Sequence, residues 1–295
     1  MNDIDNIEKP KLGEIPFPNI EVANTEDDIE TTDLAYIEYR NEVRKIIKKK
    51  NEVIQQTRSD MSELEQRIFG YACLVANNIP KEEIVPDQEL KVTFRAADYY
   101  NYYGMTDGGA NYDVLKETLR DLRNRTMEIR NGKSYKVFGF INNGDINEEG
   151  LCEIKINKEM VPMITGIDES AKDYTKLEAF RWAKMKGKYT IPLCQYFISR
   201  YDKQMSAIDK RSKKEREQFP IPLDITISVE NLRLMLKIEE LSSYKEYKKL
   251  NSKILKHAIE EINKYSEITV SYVGEGRPID RIRFTICRKA IIDMQ

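Results

Sequence analysis

Few residues in this chain could carry covalent or metal chemistry. It has one histidine, His257, and four cysteines, Cys73, Cys152, Cys194 and Cys287, far apart along 295 residues. One histidine cannot supply the His-hydrophobe-His metal motif of a rolling-circle nickase. A Ser/His or Cys/His pair would have to use His257, which sits in a Lys-rich helical stretch with no nucleophile at a telling spacing. It reads as a solvated or helix-packing residue. No two cysteines have the close spacing of a zinc site, and they read as buried thiols. Lys133-Ser134 follows Gly132 as in a phosphate loop, but the loop's first glycine would fall on Met127, so that motif fails. The 50 acidic residues offer no pair that spacing singles out. The expectation is a protein that is not an enzyme and needs neither metal nor cofactor. A nuclease built on carboxylates is the rival from another class.

The bases are better organised. On a helical wheel of about 100° per residue, Tyr247, Leu250, Ile254, Ala258, Ile262 and Tyr265 form one apolar stripe. Lys245, Lys249, Ser252, Lys253 and Lys256 gather opposite it, with Lys248 at the margin. Downstream, Ile282, Phe284 and Ile286 alternate with Arg281, Arg283 and Thr285, so one strand face is apolar and the other carries two arginines. Gly276-Arg277 adds a third arginine at the tip of the turn before it. A Lys-faced helix beside an Arg-faced hairpin can enter a major groove while the hairpin grips flanking phosphates. Double-stranded DNA is the expected partner. An earlier helix, with Tyr112, Leu115, Leu119 and Leu122 on its inner face, offers Lys116, Arg120 and Arg123 outward. There Asp113, Glu117 and Asp121 interrupt them, so a weaker auxiliary reader or a protein interface is expected.

Charge along the chain agrees. Residues 1–42 hold twelve acids and three bases, a net of −9, whereas the whole chain carries −2, so the remainder carries +7. The acidic head, with Pro10, Pro16 and Pro18 and little periodicity, reads as a disordered tail. No apolar run approaches the roughly 18 residues of a membrane helix, and the start resembles neither a signal nor a transit peptide. A soluble intracellular, cytoplasmic protein with no membrane partner is expected. With hydrophobic residues at 40%, the rest can fill real cores.

The elements that must position these bases come in two runs. After the basic entry Arg44–Lys50, Ser62 and Glu65 form a capping box for a helix that Leu64, Ile68, Tyr71 and Val75 would bury on one face. Asn77 to Pro80 ends it. A strand over Leu90–Arg95, a short helix over Ala96–Tyr103, a glycine turn and the helix around Leu115 follow. Met127–Arg130 and Ser134–Ile141 flank Asn131-Gly132, a strong hairpin signal, and Leu151–Asn157 alternates as a further strand. The second run begins with helices over Lys176–Lys186 and Pro192–Gln204, then the charged loop Asp209–Glu217 and a strand at Ile225–Ile227. A short helix capped by Ser228 follows, with Ser242-Ser243 as the turn. A long helix from about Tyr244 to Tyr265, strand Ile268–Val273, the turn Gly274–Pro278 and strand Ile279–Arg288 close the run. The order predicts an α+β chain of two tandem winged helix-turn-helix domains: an acidic tail over 1–42, an N-terminal domain over 43–168 and a C-terminal domain over 169–295, joined near Gly166–Lys172.

The run from Tyr247 to Asn263, with Ile268–Tyr272 and Gly276-Arg277, resembles the iteron-binding plasmid replication initiators. Asn51–Ile54 with Ser62–Gln66 is similar to that family's N-terminal signature, and Lys188–Tyr196 to the run opening its second domain. The resemblance implies binding to direct repeats at a plasmid origin, opening of an AT-rich stretch, and recruitment of a host initiator and the replicative helicase. It also implies a dimer that represses its own promoter, a monomer that initiates, and a dimer interface in the N-terminal domain. Some members carry consecutive arginines where this chain has Asn251-Ser252-Lys253, so the contacted sequence does not transfer. The main alternative is a winged-helix repressor or partition protein.

Overall fold

The computed structural model describes residues 46–289 except 59, 107, 132, 166–173, 212–214 and 216–218. The acidic tail, Arg44-Lys45, Gly132, the expected joint at Gly166–Lys172 and part of the 209–217 loop lie outside the described residues.

The first half opens with β1 (Ile46–Lys50), α1 (Asn51–Gln56) and β2 (Thr57–Arg58). α2 (Glu63–Ala76) starts at the expected capping box: Ser62 Oγ accepts from Glu65 N–H at 3.2 Å, and Glu65 accepts from Ser62 N–H at 2.5 Å. Its second half is buried all round, from Arg67 to Ala76, while Leu64 is only half-buried. The helix is therefore the centre of its domain and not a surface helix with a single inner face. β3 (Leu90–Arg95), α3 (Ala96–Tyr103) and α4 (Gly109–Asn124) fall where the sequence places them. Gly104 ends α3 in the left-handed region at φ 63°, where glycine carries no Cβ penalty.

β4 (Thr126–Asn131) and β5 (Ser134–Gly139) make the expected hairpin, with Asn131 opposite Ser134. The second strand stops at Gly139, not Ile141. Ile141 begins a separate strand, β6 (Ile141–Ile146), which pairs with β7 (Leu151–Ile156). Ile141 and Phe140 are buried, and their burial draws the chain into the other sheet. That sheet has the order β3-β7-β6, whereas β4 and β5 pair with β2 in a sheet of their own. The hairpin signalled by Asn131-Gly132 is thus an insertion, and β6–β7 is the wing of the first half.

A short α5 (Val161–Ile164) precedes β8 (Tyr174–Glu178) and the single turn α6 (Ala179–Trp182). A helix over Lys176–Lys186 was expected from the local pattern. Instead β8 pairs antiparallel with β1, Ile46 opposite Glu178 and Lys50 opposite Tyr174. The strand state depends on a partner more than a hundred residues earlier, which overrides local propensity. The same pairing corrects the basic entry: Ile46–Lys50 is a strand, and Lys49 is buried, its ammonium 5.8 Å from the Phe69 ring and 5.4 Å from Trp182. Asn51 ties these pieces together, its Oδ1 accepting from Thr175 Oγ1 at 2.5 Å and from Ser199 Oγ at 2.8 Å.

The second half contains α7 (Thr190–Ile208), β9 (Leu223–Ser228), and α8 (Val229–Met235) capped by Ser228, whose Oγ accepts from Asn231 N–H at 3.0 Å. α9 follows in three continuous segments: Tyr247–Leu250, a π-helical turn Asn251–Leu255, and Lys256–Tyr265. It begins three residues later than expected, because Ser242–Tyr244 forms a separate 3-10 turn. β10 (Ile268–Gly276) and β11 (Ile279–Arg288) form the wing, longer than expected on the β10 side and turning at Arg277-Pro278. The sheet order is β9-β11-β10, the same as β3-β7-β6 in the first half. Phe284 is fully buried between the Phe197 ring, 4.9 Å away, and the Tyr272 ring, 5.9 Å away. Among the described residues no helix is long and apolar enough to cross a membrane.

Candidate nucleic-acid interface

Helix α9 is held by three sets of bonds, which fix what it presents. Leu250, Ile254, Ala258 and Ile262 are buried as the wheel requires. Leu255 and Ile259 are buried as well, because the π turn admits one extra residue between successive inner positions. Against β10, Asn263 Nδ2 donates to Val270 O at 2.9 Å and its Oδ1 accepts from Val270 N–H at 2.6 Å. Tyr272 Oη donates to Asn251 Oδ1 at 2.5 Å, at the start of the π turn. At the N-terminal end, Arg233 of α8 donates from Nε to Tyr244 O at 3.0 Å and from Nη2 to Lys245 O. Arg233 thereby sets the turn of the helix-turn-helix. Sequence reasoning missed it, since an arginine on a short helix gives no local sign of such a role.

On the outer side, Lys245, Lys248, Lys249, Ser252, Lys253 and Lys256 are all exposed. None of the five lysines has a carboxylate partner among the described residues. Tyr247 lies against the wing, where a Cβ on Gly274 would meet Tyr247 Oη at 3.1 Å and Ile279 at 2.9 Å. Glycine at that position lets helix and wing meet closely.

The wing arginines are placed as the alternation requires, with Ile282, Phe284 and Ile286 buried and Arg281 and Arg283 exposed. They are not equally available. Arg283 Nε lies 3.0 Å from Glu275 and its Nη1 3.9 Å from Asp224. Arg281 lies 3.8 Å from Asp280. Arg277, exposed at the turn, has no carboxylate partner among the described residues.

The first half presents a different surface on the same frame. Leu115, Leu119 and Leu122 of α4 are buried, and Asp113, Lys116, Glu117, Arg120, Asp121 and Arg123 are exposed. Lys116 lies 3.8 Å from Asp113 and over the Tyr112 ring at 4.5 Å. Arg123 donates to Asn142 O at 3.2 Å. The tip of the β6–β7 wing carries Glu148 and Glu149 where the other wing carries Arg277. Along β7, Glu153 is paired with Lys91 at 2.8 Å.

The four thiols are held in their protonated form. Burial pushes the Cys73 thiol up to about 11 and the Cys152 thiol up to about 12, and raises Cys194 and Cys287 too. His257 is exposed on α9, 3.9 Å from Glu261. Among the described residues no group of three or more His, Cys, Asp or Glu side chains could hold a metal ion.

A helix-turn-helix followed by a wing, repeated twice with the same strand order, defines a tandem winged-helix protein. Comparison with known proteins makes the class specific. Residues 46–198 match the family described as initiator replication protein, WH1, and residues 228–286 match initiator Rep protein, WH2. A replication initiation protein of Escherichia coli is 26% identical over 232 residues, covering 78% of this chain and 66% of that protein's length. The solved structure of the Pi initiator protein in complex with iteron DNA shares the fold, with a TM-score of 0.60 at 18% identity, covering 84% of this chain and 99% of that one. The chain belongs to the initiator replication protein family.

Proposed function

We propose that this chain initiates plasmid replication by binding direct repeats at an origin. The observation that carries the reading is the row of exposed lysines on α9, none of them ion-paired among the described residues, beside a wing tipped by Arg277. Lys249, Ser252 and Lys253, with Lys248 and Lys256 at the flanks, face the major groove. Lys245, Arg277, Arg281 and Arg283 hold phosphates. Lys116, Arg120 and Arg123 of the first half add auxiliary contacts. The C-terminal domain, 169–295, is the main reader, and the N-terminal domain, 43–168, sits on a neighbouring groove about one helical turn away, giving a repeat of about 20 base pairs. The Pi initiator's complex with iteron DNA supports the same mode of binding here.

Origin opening, recruitment of a host initiator and replicative helicase, and repression of the protein's own promoter by a dimer belong to the same proposal. Self-association has a surface suited to it in the first half. β5 is an outer strand of its sheet, and Tyr135 and Val137 on it are 54% and 47% exposed. Exposed apolar side chains on an edge strand favour pairing with another chain. A bacterial cytoplasmic location follows from this role.

The test is footprinting on the DNA around the gene, followed by permanganate probing of the bound complex. Protection of several direct repeats and reactive thymines in an adjoining AT-rich stretch are expected. Protection of a single inverted repeat without strand opening would make the protein a repressor.

A further inference from the structure

The two halves meet at a turn that the reading helix itself holds in place. Glu261, on the third segment of α9, accepts from Lys186 N–H at 3.0 Å, from Gly187 N–H at 2.9 Å and from Thr190 Oγ1 at 2.7 Å. These donors form the entry to α7. Gly187 has no room for a side chain: a Cβ there would meet Thr190 Oγ1 at 2.3 Å and Glu261 Oε2 at 3.0 Å. The opposite side of the turn is tied to the first half. Gln66 of α2 donates to Lys188 O at 2.7 Å, Lys188 Nζ lies 2.5 Å from Asp60, and Arg67 Nη2 donates to Met185 O at 3.4 Å. Burial alone would raise the Glu261 carboxyl. The bonds from Thr190, Lys186 and Gly187, with His257 nearby, outweigh it and hold the group below its ordinary value, so it is ionised and accepting.

Glu261 points at protein, yet it stands on the helix whose outer face carries the lysines. Its carboxylate is committed to backbone donors that the first half clamps from the other side. The turn is tied to Glu261 on one side and to Gln66, Arg67 and Asp60 on the other, so moving α9 relative to the first half breaks one of the two sets, and losing the Glu261 set leaves two N–H groups and a buried hydroxyl without that acceptor. Thr190 is 1% exposed, so water does not readily replace that partner.

We infer that Glu261 is a positioning residue that, through the Lys186–Thr190 turn and Gln66, locks the reading helix to the N-terminal domain and so sets the spacing between the two halves of the DNA site. The inference rests on the reading of both domains as DNA binders. It concerns how strictly the protein measures distance along DNA, which no single groove contact determines. Two readers on a rigid frame gain from each other only when the second site lies within reach. Two readers on a loose hinge bind less tightly but tolerate displaced sites.

The experiment uses the full chain and a repeat obtained by selection from random DNA, compared with the same repeat carrying five base pairs inserted at its middle. Wild-type protein should lose about 100-fold in affinity on the insertion, because half a helical turn moves one groove to the wrong side. Glu261→Ala should bind the uninterrupted repeat more weakly and lose only about 5-fold or less on insertion. Glu261→Gln, which keeps an oxygen acceptor but turns an amide N–H toward other donors, should fall between. Gln66→Leu acts from the far side without touching the reading helix and should relax spacing in the same way. It decides the matter should Glu261→Ala fail to fold in a thermal melt. Folded variants that keep the full wild-type insertion penalty would overturn the lock. A wild-type protein with no insertion penalty would instead overturn the two-domain reading on which the lock rests.

Discussion

The halves of this molecule run through one order of elements, α2-β3-α3-α4-β6-β7 and α7-β9-α8-α9-β10-β11, and their three-stranded sheets have the same strand order. Inside they are interchangeable in kind: Leu115, Leu119 and Leu122 do in one what Leu250, Ile254 and Ile262 do in the other. Outside they differ. α4 alternates acid and base and its wing ends in Glu148-Glu149, whereas α9 exposes five lysines with Ser252 against two acids, Glu246 and Glu260, and its wing ends in Gly276-Arg277. Buried positions choose the fold, and exposed positions choose what it touches. A repeated fold is therefore no argument for a repeated function.

The sharpest way to break this comparison is by paired substitution. Lys249→Ala with Lys253→Ala should cost on the order of 2–5 kcal/mol of specific binding, measured by fluorescence anisotropy. Lys116→Ala with Arg120→Ala should cost clearly less, because Asp113, Glu117 and Asp121 already offset those charges. Equal losses would mean that both helices read.

Acid should weaken both halves. Burial would raise Glu65, but hydrogen bonds from Arg125, at 2.6 Å, and from Ser62 hold it below the ordinary 4.5, as the turn holds Glu261. A depressed carboxyl contributes stability that is present above its unfolded value and is lost as pH falls through the folded one. Melting temperature should therefore drop as pH falls below about 4.5, and Glu65→Gln should be less stable at neutral pH with a flatter acid limb. An unchanged acid limb would show that the Arg125 pair contributes nothing.

Smaller effects belong to the wing. Arg281→Ala should weaken specific and random DNA alike and lower the slope of log affinity against log salt by about one unit. Arg283→Ala should change that slope less, since Glu275 and Asp224 already hold its guanidinium. Loss of discrimination at constant slope would make Arg281 a base reader. The smallest effect is expected from deleting residues 1–42. They carry a net charge of −9, like that of DNA, so without them binding at low salt should be unchanged or slightly tighter. Markedly weaker binding would assign the segment a direct role.

Much of this was readable from local pattern. Ser62 with Glu65, Ser228, the alternation over Leu90–Arg95 and that over Ile282–Ile286 each carry their structure within a few residues, and each appears where expected. The basic face of α9 was legible for the same reason, being periodic. What escaped depends on distant partners. β8 is a strand because β1 lies beside it, and β6 changes sheet because β7, not β5, is its neighbour. Lys49, in a basic run, is buried among Phe69, Trp182 and Gln195 from three later segments. Glu261 looks in sequence like one more acid on an exposed helix. Only the approach of Gly187, 74 residues earlier, gives it a task.

The central claim, that α9 and not α4 is the principal groove reader, is tested most directly by DNA cleavage from a tethered reagent. The native thiols interfere little: Cys73, Cys152 and Cys194 are buried, and Cys287 can be replaced by serine. A cleaving group attached at Ser252→Cys should cut both strands around one major groove of the repeat. The same group at Glu117→Cys, on the outer face of α4, should cut weakly. Strong groove-centred cleavage from position 117 with none from position 252 would contradict the account.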